Sequence, residues 1–340
     1  MSSEFPAPDE PTTAADAAAT ATPTAPVARP KTTGLHVGDA KPGVAKVDPI
    51  IVADGVRRTF GGLTAVDVEH LEIPRGAITA LIGPNGAGKT TLFNLLTGFD
   101  KPNEGSWTFD GTSLSGVPAY KVARMGQVRT FQLTKALGLL TVMENMKLGA
   151  KGQRGERFWS SLIPAAWRGQ DAQIEERAET LLQKFKLDAK ADDFAASLSG
   201  GQRKLLEMAR ALMSEPKLVM LDEPMAGVNP ALTQSLLDHI LDLKDEGMTV
   251  LFVEHDMHMV RHIADWVVVM AEGRVVAEGD PYTVMQDPAV IDAYLGAHQE
   301  LDLGVVTGRY APEGAEATAD AAARDEILAE GLAELEEEEK

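Results

Sequence analysis

The chain has 340 residues, no cysteine and a formal charge of −19, with 51 acidic against 32 basic side chains. So acidic a protein is a poor non-specific ligand for nucleic acid, because that affinity comes from cations displacing counterions on phosphate. It contains no run of about 18 apolar residues, so no segment reads as crossing a membrane, and its N-terminus lacks the basic-then-apolar profile of a secretory signal.

Cysteine-free composition fits a reducing compartment, and the chain reads as soluble and intracellular. Residues 1–48 are mostly Ala, Pro, Thr and Gly, with too few large apolar side chains to offset the entropy of ordering them. They read as a disordered tail. Residues 301–340 carry 12 acidic and 3 basic side chains and end in LEEEEK. Ile327, Leu328, Leu332 and Leu335 fall loosely on one side of a short helical pattern there, but Gly331 weakens it, and a solvated acidic tail is the reading. Removing 1–46 and 303–340 is therefore expected to leave stability and ligand affinity nearly unchanged. Between the tails, about 49–300 has the size of one large α/β domain.

In chain order, PIIVADGVRRTF opens with a strand, and LEIPRGAITALIGP supplies two more around the turn at 74–76. TLFNLLTGF has helical spacing. GSWTFDGTSL alternates as a strand should and turns at Asp110-Gly111. Residues 172–186 and 203–213 read as amphipathic helices. KLVMLDEP and MTVLFVEH are apolar runs that end in carboxylates, the pattern of strands buried on both faces of a parallel sheet. WVVVMAEGRVVAEGD reads as two strands joined at Glu272-Gly273. Strands alternating with helices predict a doubly wound α/β sheet with ligands beyond the strands' carboxyl ends.

GPNGAGKT, residues 83–90, follows the strand AITALI and precedes a helix, which is the context a phosphate-binding P-loop requires. Gly83, Gly86 and Gly88 let backbone N–H groups around Asn85 wrap phosphates, and the helix N-terminus adds partial positive charge. Lys89 is placed to reach the β- and γ-phosphates of ATP, and the Thr90 hydroxyl to coordinate Mg²⁺, with Thr91 beside it. Asp222, at the end of LVMLD, suits the same cation, and Glu223 can polarise an attacking water. Two adjacent carboxylates need a cation opposite, and Mg²⁺ with Lys89 is the expected one. His255, His258 and His262 share a helical face that could bind zinc, but no carboxylate or cysteine cluster is fixed beside them, so an ordinary exposed face is preferred.

SLSGGQRKLL, residues 197–206, places Ser199, Gly200, Gly201 and Gln202 at the mouth of a helix, a second phosphate-binding layout with no lysine at P-loop spacing. Taken with GPNGAGKT, LDEP and the histidine after Glu254, this LSGGQ resembles the ATP-binding subunits of ABC transporters over about 49–298. The resemblance implies a P-loop NTPase fold of α/β class. Its parts are a RecA-like core, an N-terminal antiparallel β-subdomain and a helical subdomain inserted at about 133–213. It also implies a head-to-tail pair of ATPase domains, in which Ser199 and Gly201 of one close over the γ-phosphate held by the P-loop of the other. Phe60 matches the aromatic that stacks on adenine, although an aromatic there also suits a core. Gln132 matches the glutamine that senses Mg²⁺ and the γ-phosphate, and His255 the histidine that positions water for Glu223. Asn229 stands where many relatives carry aspartate.

FGGLTAVD, RTFQL, the insertion at about 151–178, LDEPMAGVNP, VEHDM and VIDAYLG together look like the ATPase of branched-chain amino acid importers. That implies two permease subunits, a second ATPase subunit, indirect service to an extracytoplasmic substrate-binding protein, and a place on the cytoplasmic face of the membrane. Urea, amide or export systems stay open, as does a soluble ABC ATPase. The last is disfavoured by the single cassette and by the short distance from P-loop to signature.

Overall fold

The computed structural model describes residues 41–130, 136–153 and 168–295. Among the described residues, ten strands form two sheets. β1 (Pro49–Phe60), β2 (Leu63–Pro74), β4 (Glu104–Phe109) and β5 (Thr112–Ser113) make an antiparallel sheet in the order β2-β1-β4-β5. The second sheet contains β3 (Ile78–Ile82), β6 (Gln127–Arg129), β7 (Leu218–Asp222), β8 (Thr249–Val253), β9 (Trp266–Ala271) and β10 (Arg274–Gly279), in the order β10-β9-β3-β8-β7-β6. It is parallel except at the β9–β10 hairpin. Every residue of β3, β7 and β8 is buried, as their mainly apolar sequences require when both faces are covered.

Both predicted hairpin turns form. Asp110-Gly111 and Glu272-Gly273 have φ values of 48° and 72°, and 49° and 82°. Two successive left-handed residues match the twist of the flanking strands, which favours such pairs.

The helices are α1 (Lys89–Leu96), α2 (Ala119–Arg124), α3 (Val142–Lys147), α4 (Arg168–Lys184), α5 (Gly200–Leu212), α6 (Pro230–Asp245), α7 (Met257–Ile263), α8 (Pro281–Val284) and α9 (Pro288–Leu295). Two apolar clusters hold the assembly. One joins the antiparallel sheet, α1 and the β3–β9 face, with Phe93, Trp107 and Phe109 in it. The other runs from the parallel sheet into α3, α4 and α5, through Met146, Leu182 and Leu205. The inserted helices are thereby continuous with the core that carries the P-loop.

Residues just ahead of β1 are also anchored. Gly43 and Val44 donate their N–H groups to Glu278 Oε1 at 2.6 and 3.0 Å, while Lys46 Nζ and Trp266 Nε1 meet Oε2 at 2.5 and 2.9 Å. Glu278 is fully buried, and the Lys46 ammonium lies 4.9 Å from the Trp266 ring centroid. These bonds conflict with the expectation that residues up to 46 are dispensable. Composition hid the contact, because one lysine among several in an Ala/Pro-rich stretch announces nothing about a buried carboxylate more than two hundred residues away. The helical pattern expected around Ile327 to Leu335 lies outside the described residues.

Candidate nucleotide site

The site is assembled at the carboxyl ends of β3, β7 and β8. After Ile82 the chain turns through Gly83, whose φ is 147° and where an added Cβ would lie 2.1 Å from the Met270 carbonyl oxygen. Gly88, at φ 96°, caps α1, and a Cβ there would lie 2.3 Å from the Ala65 carbonyl. Neither position has room for a side chain, so the loop backbone can approach a ligand as closely as its own packing allows. Asn85, Gly86 and Thr90 are exposed at the rim, with Thr91 half-buried behind them.

Lys89 folds back over this loop, its ammonium donating to the carbonyls of Gly83 and Pro84 at 2.6 and 2.9 Å. Burial lowers its pKa, and the charges of Glu223 and Asp222 oppose that fall. The lysine therefore lies within electrostatic reach of both carboxylates. Beneath the loop, the buried hydroxyl of Tyr294 in α9 faces the Gly83 backbone, and burial holds that phenol well above its usual range.

Asp222 closes β7, almost buried, and its Oδ2 accepts from Arg129 Nη2 at 2.6 Å. Arg129 also donates to Asn94 of α1 at 2.6 Å and stacks on Phe93, 5.4 Å from the ring centroid. The cation in contact with Asp222 is thus an arginine from β6, which sequence reasoning missed. It stands in RTFQL, but its partners come from three separate elements and no local pattern links them.

A hydroxyl at the start of α1 and one carboxylate at the end of β7 suit Mg²⁺, which is usually held by one or two carboxylates, phosphate oxygens and water. Among the described residues no three His, Cys, Asp or Glu side chains converge as a metal cluster. Gln132 lies outside the described residues.

Glu223 adopts a left-handed φ of 47°, which is uncommon for a residue with a side chain. Its N–H donates to the Val253 carbonyl at 3.1 Å, and its own carbonyl accepts from Lys204 of α5 at 3.3 Å. His255 follows β8 with an exposed ring, its Nδ1 3.6 Å from Glu254 Oε2. Glu254 itself is buried at 2 % exposure.

Ser199 caps α5. Its Oγ accepts from the Gln202 N–H at 3.2 Å, and Gln202 Oε1 accepts from the Ser199 N–H at 3.0 Å, a reciprocal capping box. The start of α5 sits on the β7–α6 connection and α6. An added Cβ on Gly200 would be 3.9 Å from the Gly227 carbonyl, and one on Gly201 would be 2.4 Å from Leu232 Cδ1. Asn229 caps α6 through the Leu232 N–H at 2.9 Å, so its side chain already has a local role. Phe60 ends β1 at 48 % exposure, with the Arg58 guanidinium 4.5 Å from its ring centroid. Of the two readings open for it, this exposure excludes a core residue.

Residues 66–226 match the family described as ABC transporter, and residues 274–300 match that described as branched-chain amino acid ATP-binding cassette transporter. The chain is 40% identical over 257 residues to the probable branched-chain amino acid transport ATP-binding protein LivG of Archaeoglobus fulgidus, covering 75% of this chain and 99% of that one. It is 40% identical to the high-affinity branched-chain amino acid transport ATP-binding protein BraF of Pseudomonas aeruginosa, over 73% of this chain and 98% of that one. Among solved structures, the ADP conformation of MJ1267, an ATP-binding cassette of an ABC transporter, superposes with a TM-score of 0.64 at 37% identity. That match covers 73% of this chain and 99% of the other.

Proposed function

Since the chain belongs to the ATP-binding proteins of ABC transporters, on the branch of branched-chain amino acid systems, we propose that it binds and hydrolyses ATP with Mg²⁺ to drive branched-chain amino acid import. The observation that carries the reading is Lys89. A half-buried ammonium bound to its own loop carbonyls, within reach of Asp222 and Glu223, is placed to exchange those carbonyls for phosphate oxygens.

In this reading Phe60 stacks on adenine, and the loop from Gly83 to Lys89 holds the phosphates with its N–H groups and the α1 N-terminus. Thr90 and Asp222, with Gln132, would hold Mg²⁺, which supplies charge neutralisation on the β- and γ-phosphates. Glu223 accepts a proton from the attacking water, and His255 orients that water and contacts the γ-phosphate. Ser199 and Gly201 serve the phosphate of a second ATPase chain through hydroxyl and backbone N–H. That is why the second phosphate-binding turn needs no lysine. Catalysis is then positioning plus electrostatics.

The partners are two permease subunits, a second ATPase subunit and, indirectly, an extracytoplasmic binding protein, with the complex at the cytoplasmic face of the membrane. Leu137, Leu139 and Phe194 are exposed at the edge of the inserted helices and offer an apolar surface for a permease helix.

The test is Glu223→Gln. Glutamine keeps the shape and loses the base, so turnover should vanish while ATP still binds and closes an ATPase dimer, visible as a mass shift at saturating ATP. Wild-type turnover in that variant would remove Glu223 from its role.

A further inference from the structure

Two loops bring Glu223 and His255 to the phosphate, one after β7 and one after β8, and a single buried carboxylate bridges them. Glu254 Oε1 accepts the Met225 N–H at 3.1 Å, and Oε2 accepts the His255 N–H at 3.2 Å. The imidazole of His255 lies 3.6 Å from the same Oε2. The Glu223 N–H bonds to the Val253 carbonyl at 3.1 Å on the adjoining stretch, so the backbone around the base is tied to β8 both before and through Glu254.

We infer that Glu254 is a positioning residue for hydrolysis, a buried clamp that fixes the spacing between the Glu223 loop and the His255 loop. Three features favour this over a purely structural role. A buried carboxylate is costly, and stability alone would be served as well by an apolar side chain of similar size. Both oxygens are used on main-chain N–H groups of the two loops that carry chemistry, and neither bond goes to the sheet interior. Burial also raises its pKa, as does the charge of Glu223, against the opposing effect of the Met225 and His255 N–H groups. The site therefore keeps an acid here at an electrostatic cost, and two loop amides are what it gains.

A one-carbon shorter carboxylate cannot span both amides, and an amide cannot accept from both without turning its NH₂ toward a donor. Loss of the clamp should let the base and the histidine drift relative to the γ-phosphate, and small misplacements of catalytic groups are costly in rate. Phosphate binding by the P-loop should be untouched, because Glu254 contacts none of it.

The inference rests on the assignment of Glu223 and His255 to hydrolysis. Steady-state ATPase activity, ATP affinity and melting temperature are measured on the purified full-length chain as wild type, E254Q, E254D and E223Q. The expected result is at least a tenfold fall in kcat for E254Q and E254D, with KM and ATP affinity within about twofold of wild type. Wild-type kcat in E254Q, or a fall that only tracks lost ATP binding or lost folding, overturns the clamp. Where E254Q does not fold, E254D decides: slow turnover with normal ATP binding supports the clamp, and wild-type turnover overturns it. If E223Q retains wild-type turnover, the hydrolytic assignment fails instead, independently of the clamp.

Discussion

Lys89 is held by two carbonyls of the loop it is meant to serve, and ATP binding must break both bonds. The exchange is favourable because phosphate oxygens carry the charge that carbonyls lack, and charge-assisted bonds are roughly twice as strong as neutral ones. Lys89→Ala should therefore act on binding before chemistry, weakening ATP affinity by about 1.5–3 kcal/mol, or roughly ten- to a hundredfold. Fluorescent-nucleotide titration checks this, and unchanged affinity would place the lysine outside the phosphate contacts. The spacing of GPNGAGKT and the end of LVMLD made Lys89, Thr90 and Asp222 legible as candidates from sequence, because each proposed role follows from a few neighbouring residues. Arg129, Glu254 and Tyr294 were not legible. The meaning of Arg129 and Glu254 comes from partners on other elements, namely Asp222 and Asn94, and the Met225 N–H, and that of Tyr294 from the packing that buries it.

The strands that compose the parallel sheet were readable for a simple reason: five consecutive buried residues leave an unbroken apolar run. Short elements such as β6 and α2 lacked any such signal, with three and six residues shaped by their neighbours. The segment before β1 is the instructive case. Its composition suggests a tail, yet Lys46 is the cation for the fully buried Glu278. Breaking a buried pair from one side leaves an uncompensated charge, which costs about 3–5 kcal/mol. A chain starting at residue 49 should therefore lose roughly 10 °C in melting temperature, while one starting at residue 41 keeps the clamp and should stay within a few degrees of full length. Lys46→Ala in the full-length chain should reproduce most of the loss. Equal melting temperatures for the starts at 41 and 49, measured by differential scanning calorimetry, would show that the strap contributes nothing.

At the scale of the whole molecule, the proposed function relies on a second chain to complete the site. Ser199 and Gln202 bond to each other across the start of α5, and among the described residues the Lys89 ammonium donates to the Gly83 and Pro84 carbonyls of its own loop. No helix among the described residues is long and apolar enough to cross a membrane. In the proposed function other chains form the membrane path, and the exposed Leu137, Leu139 and Phe194 are the apolar surface proposed for docking one of them. Asn229 adds no charge at a position expected near the dimer contact, and its side chain is already engaged in capping α6, so it repels neither a like nor an unlike ATPase partner. What weighs toward an unlike one is the second ATPase subunit implied by the resemblance to branched-chain amino acid importers. The isolated subunit should therefore be a weak ATPase and mainly monomeric, gaining activity when purified with permeases and a second ATPase encoded beside it. ATPase rate and solution mass, measured for the chain alone and with those neighbours, separate the possibilities. Full activity as a stable homodimer without any permease would sink the heteromeric importer and shift weight to an ABC ATPase that works in solution.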